Sequence, residues 1–136
     1  MENEKTCTGD SETILLVEDN EMVLNVAKRL LVDLGYTVLV ACNAEEAMDV
    51  FRQNTDSIDL VMSDVVMPRS SGPEMYLQIH AIKPDLPALF VTGYDVDQSI
   101  EILEKLECEQ NCAVLQKPYS QEALAEKIRS LLDRSR

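Results

Sequence analysis

Short, continuous apolar runs alternate along the chain with longer stretches in which apolar residues recur every three or four positions. Ile14-Leu15-Leu16-Val17 is the first run, of the kind that forms a strand buried on both faces. Met22, Val23, Val26, Ala27, Leu30, Leu31 and Leu34 follow. Their spacing predicts a helix over 22–34 with one buried face, stopped at Gly35. Thr37 to Ala41 is a second strand-like run, and Asn43 with Glu46 three residues later predicts a capped helix ending near Gln53. Leu60-Val61-Met62 is the third run, closed by Ser63 and Asp64. A loop through Pro68, Ser70, Ser71 and Gly72 then leads into a helix that starts on Pro73 and reaches about Ile82. Leu89-Phe90-Val91 is the fourth run and ends at Thr92-Gly93. A helix over Asp97 to Leu106 and a weaker run, Ala113 to Gln116, precede Lys117-Pro118. Ser120 caps a last helix through Leu132, with Leu124, Ile128, Leu131 and Leu132 as its stripe.

Five strands alternating with five helices predict an α/β domain with a doubly wound parallel sheet, covered by helices on both faces. With 136 residues the chain has room for one such domain. It is expected over 13–134, after a polar, acidic tail or linker remnant at 1–12. Ligands of doubly wound sheets bind at the carboxyl ends of the strands, so the residues that close the apolar runs are the candidates for chemistry.

Glu18 and Asp19 close the first run, Asp64 the third, Thr92 the fourth and Lys117 the fifth. Three carboxylates brought to one sheet edge repel and raise one another's pKa. A hard divalent cation such as Mg²⁺, which takes carboxylate oxygens and keeps several waters, relieves that repulsion. With Lys117 beside it, the cation leaves a phosphoryl group free to approach Asp64, and the Thr92 hydroxyl supplies another partner for its oxygens. Phosphoryl transfer to a carboxylate nucleophile is the chemistry these residue types support.

Composition narrows the alternatives. A formal net charge of −13 argues against nucleic-acid partners and against direct contact with an anionic membrane surface. No run of 18 apolar residues exists, and the amino terminus has no apolar segment of a signal peptide. A cytoplasmic protein is the expectation. Cys7, Cys42, Cys108 and Cys112 do not form a metal-binding pattern, and His80 stands alone. These read as free thiols and as a helix residue remote from the strand ends.

The stretches Leu16-Val17-Glu18-Asp19-Asn20, Ser63-Asp64-Val65-Val66-Met67-Pro68 with Gly72, Val91-Thr92-Gly93 and Lys117-Pro118 resemble the response-regulator receiver domains of two-component signalling. The resemblance runs from about Thr13 to Leu132. It implies a flavodoxin-like sheet of strand order 2-1-3-4-5. It also implies Asp64 as phosphoacceptor, Mg²⁺ held by Glu18, Asp19, Asp64 and the Val66 backbone carbonyl, and Thr92 and Lys117 on the phosphoryl group. A cis Lys117–Pro118 bond and an open approach past Gly93 belong to the same pattern. The implied partner is a histidine kinase or a histidine phosphotransfer domain, acting on a monomer or weak dimer. Glu12 to Val17 and Ser71 to Glu74 are similar to receivers at the carboxyl ends of hybrid sensor kinases, so the chain is expected to be either a stand-alone regulator or the receiver of such a kinase, the cytoplasmic part of a membrane-anchored sensor kinase. Val114 stands where many receivers carry a switch aromatic, which puts a Thr–Tyr rotation in doubt. Val66 and Tyr94, which flank the path of an attacking water, imply slow loss of phosphate. Two other classes compete. A Mg²⁺-dependent phosphohydrolase with an aspartyl-phosphate intermediate usually needs a second acid two residues after the nucleophile, where Val66 stands. A flavodoxin-like electron carrier needs a hydroxyl- and glycine-rich phosphate loop where Glu18 to Glu21 stand.

Overall fold

The computed structural model describes residues 12–67, 70–93 and 111–134. Five strands form one parallel sheet: β1 (Thr13–Val17), β2 (Thr37–Ala41), β3 (Ile58–Asp64), β6 (Ala88–Thr92) and β7 (Cys112–Gln116). Their order is β2-β1-β3-β6-β7, which is the 2-1-3-4-5 order when the strands of this sheet are counted along the chain. Four helices are present among the described residues: α1 (Glu21–Asp33), α2 (Ala44–Gln53), α3 (Gly72–Ile82) and α4 (Gln121–Arg134). The fifth expected helix, over 97–106, lies outside the described residues, as do Tyr94, Cys108 and residues 1–11 of the expected tail.

The apolar runs are continuous because each strand is covered twice. Leu15, Val17, Val61, Ala88 and Phe90 point to one side, where Ala47 and Phe51 of α2 and Met75, Tyr76 and Ile79 of α3 meet them. Ile14, Leu16, Leu60, Met62, Leu89 and Val91 point to the other, against Ala27 and Leu31 of α1 and Leu124, Ile128 and Leu131 of α4. Successive side chains of a strand alternate between faces, so adjacent apolar residues feed two separate cores.

Local differences from the expected elements have identifiable causes. Strand β3 starts two residues early, at Ile58, because the polar Asp59 inside it accepts the Thr13 N–H at 2.9 Å. Met22 and Val26, expected on the buried face of the first helix, are 79% and 62% exposed. The buried stripe of α1 runs through Ala27 and Leu31, and Met22 lies about 140° around the axis from Ala27. The segment expected as a loop after Asp64 contains a small antiparallel hairpin, β4 (Val66–Met67) with β5 (Ser70–Ser71), and α3 begins directly behind it.

The caps follow the sequence closely. Asn20 accepts the Val23 N–H at 3.1 Å, Asn43 accepts the Glu46 N–H at 2.7 Å, and Ser120 accepts the Ala123 N–H at 3.0 Å. The Glu46 carboxylate reaches back one residue further than in a capping box. It accepts the Cys42 N–H at 2.7 Å and the Cys42 thiol at 3.0 Å. Gly35, at φ 100°, turns the chain out of α1 in a conformation that costs a residue with a Cβ. Just ahead of β1, Glu12 is buried and receives Arg129 of α4 through two bonds of 3.0 Å, and Arg129 also reaches Asp133 at 3.2 Å. The Glu12 carbonyl accepts the Thr37 N–H at 3.0 Å.

Candidate functional site

The parallel register aligns the carboxyl ends of the strands. Val17 pairs with Ser63, Asp64 with Val91, and Thr92 with Gln116. The residues that close the strands therefore gather at one edge. Glu18 continues the pairing of β1 with β2 through its N–H to the Ala41 carbonyl at 3.1 Å. Lys117 continues that of β7 with β6 through its N–H to the Thr92 carbonyl at 2.8 Å. The Lys117–Pro118 peptide is cis.

Carboxylate oxygens of Glu18, Asp19 and Asp64 lie within 4.8 Å of one another. The Lys117 ammonium sits 3.3 Å from Asp64 Oδ1 and 3.6 Å from Glu18 Oε1. Among the described residues, one cation is thus paired with this group of three acids. Burial pushes the Glu18 carboxyl up to about 6, and the charge of Asp64 adds to the rise. The Asn20 N–H, bound to Glu18 Oε2 at 3.1 Å, and Lys117 oppose it. Three carboxylates set beside one ammonium among the described residues are short of positive charge. An all-oxygen cluster with that deficit can hold a hard divalent cation.

The arrangement brings Glu18, Asp19, Asp64 and Lys117 together as expected. Thr92 is buried at the end of β6 on the same edge. A Cβ built on Gly93 would meet nothing within 4 Å among the described residues. Val66 lies in β4, two residues beyond Asp64. Val114 pairs with Phe90 in the sheet and is half-buried, so no aromatic ring occupies its position. His80 is in the last turn of α3 beside Tyr76, with ring centroids 5.7 Å apart, about 12 Å along the helix from Gly72. Cys42 is exposed and Cys112 is buried at the opposite end of β7.

Tyr119 was not singled out by the sequence pattern. It lines a small cleft with Glu18, Asp64 and Lys117, and burial, helped by the charges of Glu18 and Asp64, raises its phenol pKa. Its place two residues after the strand-closing lysine was the available signal. The backbone around Asp64 also has partners that the pattern did not reveal. The Ser63 hydroxyl donates to the Asp64 carbonyl at 2.9 Å, and the Gly72 N–H donates to the Val65 carbonyl at 2.8 Å. A Cβ on Gly72 would stand 2.2 Å from the Asp64 carbonyl oxygen.

Known proteins share this arrangement. Residues 14–129 match the response regulator receiver domain family. The sensor kinase CckA of Brucella abortus is 34% identical over 129 residues, covering 95% of this chain and 13% of that protein. The probable transcriptional regulator ycf27 of Cyanidium caldarium is 34% identical over 124 residues, covering 89% of this chain and 46% of that one. The chain thus spans less than half the length of either relative. Among solved structures, a response regulator receiver domain protein from Clostridium thermocellum superposes with a TM-score of 0.81 at 30% identity, covering 90% of this chain and 94% of that one. The receiver domain of the hybrid histidine kinase CckA does so with a TM-score of 0.73 at 34% identity, covering 88% and 98%. A match that begins in β1 and ends within α4, on a sheet of the same order, leads to one conclusion: the chain belongs to the response regulator receiver domains of two-component signalling.

Proposed function

We propose that Asp64 accepts a phosphoryl group from the phosphorylated histidine of a kinase or phosphotransfer domain, in a site completed by Mg²⁺. The observation that carries this reading is the placement of the Asp64 carboxylate within 4.8 Å of the Glu18 and Asp19 oxygens and 3.3 Å from the Lys117 ammonium. Glu18, Asp19 and Asp64, with the Val66 carbonyl, would hold the metal, which supplies charge neutralisation for the transferring group.

The protein's own groups do the rest. One Asp64 oxygen attacks phosphorus in line. The new P–O bond forms as the P–N bond to the donor imidazole breaks, and the freed imidazole nitrogen keeps the bond's electron pair. Lys117, paired with Asp64 before transfer, turns to the oxygens that arrive there. The Thr92 hydroxyl donates to another phosphoryl oxygen, and Gly93, with no side chain of its own, adds no bulk beside it. The domain catalyses this transfer to itself and the later hydrolysis, in which water takes the phosphoryl group from Asp64 and inorganic phosphate leaves. Val66, two residues past Asp64, offers no carboxyl to act as general acid, which disfavours the phosphohydrolase reading.

The similarity to CckA and to the autoinducer sensor kinase LuxN of Vibrio harveyi, 31% identical over 98 residues, supports a place in a phosphorelay beside a kinase. A donor histidine charged from ATP puts the site on the cytoplasmic side. The test is incubation with acetyl phosphate and MgCl₂ followed by intact-mass measurement. One phosphoryl group is gained, EDTA prevents the gain, and Asp64→Asn abolishes it. Equal phosphorylation of Asp64→Asn would overturn the assignment.

A further inference from the structure

We propose that Ser63 is a positioning residue for the phosphoacceptor: its buried hydroxyl, donated to the Asp64 carbonyl, fixes the peptide from which the site's ligands depart. The inference rests on the reading of Asp64 given above.

Ser63 is 1% exposed and occupies the strand position before Asp64, so its side chain points to the opposite face of the sheet. On that face it meets the start of α3. Its Oγ is 2.9 Å from the Asp64 carbonyl oxygen, and a Cβ on Gly72 would come 2.8 Å from the same Oγ. The hydroxyl and the start of the helix therefore meet the carbonyl on the same side, at a distance that only a glycine permits.

The next peptides are tied in sequence. The Val65 N–H donates to Val91 at 3.0 Å, the Val65 carbonyl accepts from Gly72 at 2.8 Å, and Val66 pairs with Ser71. Asp64 and Val66, the side chain and the carbonyl assigned to the metal, thus leave a backbone held at each intervening peptide. Ser63 provides a side-chain bond to the Asp64 carbonyl in that series. A loss of positional definition there reaches both ligands at once. A serine that merely satisfied its own hydroxyl would have no such reach, since alanine removes the donor together with its need for a partner.

The experiment compares Ser63→Ala and Ser63→Thr with the parent in three readings. The first is the ¹³C′ shift of Asp64 in the metal-free protein. The second is the Mg²⁺ concentration that half-saturates the amide shifts near residues 18–20 and 64–67. The third is the rate of phosphorylation by acetyl phosphate at saturating Mg²⁺. Ser63→Ala moves the Asp64 ¹³C′ resonance upfield, raises the half-saturating Mg²⁺ concentration and slows phosphorylation, each of the last two by about fivefold. Ser63→Thr, which keeps the hydroxyl, restores both. Parental Mg²⁺ dependence and rate in Ser63→Ala would overturn the proposal, whatever its urea midpoint. If Ser63→Ala does not fold, Ser63→Cys, a feebler donor of similar size, decides on the same readings. Failure of the parent to accept phosphate, or its acceptance by Asp64→Asn, would sink the phosphoacceptor reading instead. The shift and the Mg²⁺ titration would still judge Ser63.

Discussion

Replacing Glu18 with glutamine should make the metal-free protein more stable and the metal-bound protein less so. Glu18 is 6% exposed and shares its corner with Asp19 and Asp64. Its carboxyl stands at about 6 in the fold against an ordinary 4.5. Between those values the folded chain holds this proton more tightly than the unfolded one. Stability contributed by the group is therefore present below about pH 4.5 and lost as the pH rises through about 6. Above that, the ionised Glu18 costs about 2 kcal/mol relative to its protonated form. Glutamine keeps the oxygen that accepts the Asn20 N–H and removes the charge, and Lys117 retains Asp64 at 3.3 Å as partner. Urea unfolding followed by circular dichroism, in EDTA from pH 4 to pH 7.5, reads the difference. The advantage of Glu18→Gln over the parent grows from near zero at the acidic end to about 2 kcal/mol at the neutral end. Added MgCl₂ reverses the order, because the parent gains more from a ligand it binds better. A stability difference that does not change with pH would refute the reasoning, since it would mean that Glu18 ionises as freely in the fold as outside it.

Gly72→Ala should cost about 1–3 kcal/mol in thermal or urea unfolding and slow phosphorylation, because its Cβ would stand 2.2 Å from the Asp64 carbonyl oxygen. Glu46→Gln should speed the alkylation of Cys42 by iodoacetamide near pH 8, since the thiol's pKa is raised chiefly by its bond to the Glu46 carboxylate; an unchanged rate would mean that the bond does not form in solution. Val66→Asn combined with Tyr94→Glu should shorten the life of the phosphorylated protein by about tenfold or more, measured as phosphate release after the donor is removed. Release no faster than in the parent would show that these positions do not set it.

The fold was legible because a sheet covered on both faces writes itself as continuous apolar runs, and helices covered on one face write a three-to-four spacing. The site was legible for a related reason: Glu18, Asp19, Asp64, Thr92 and Lys117 each interrupt or follow an apolar run, and a parallel sheet brings such ends together. Short or tertiary features left weaker marks. The β4–β5 hairpin has only two residues per strand, too few to carry a periodicity. Met22 and Val26 match a helical spacing yet face away from the core, because which apolar stripe is buried depends on where α1 lies against the sheet. Ser63 reads in sequence as one polar residue ending a strand. Its closeness to the start of α3, where a Cβ on Gly72 would stand 2.8 Å from the hydroxyl oxygen, is a tertiary contact that no local pattern announces.

The tie between Glu12 and Arg129 sets where the folded unit must be cut. Strand β1 begins at Thr13, and a boundary drawn from secondary structure would start there. Such a fragment would leave Arg129 without the carboxylate that meets it through two bonds of 3.0 Å, and Thr37 without the carbonyl that accepts its N–H. Residue 12 therefore belongs to the domain rather than to whatever precedes it. Any segment joined upstream is fastened at that point to α4 and to the start of β2. A fusion or truncation that respects this anchor should keep the fold's full cooperativity, and one that begins a single residue later should fray at both attachments.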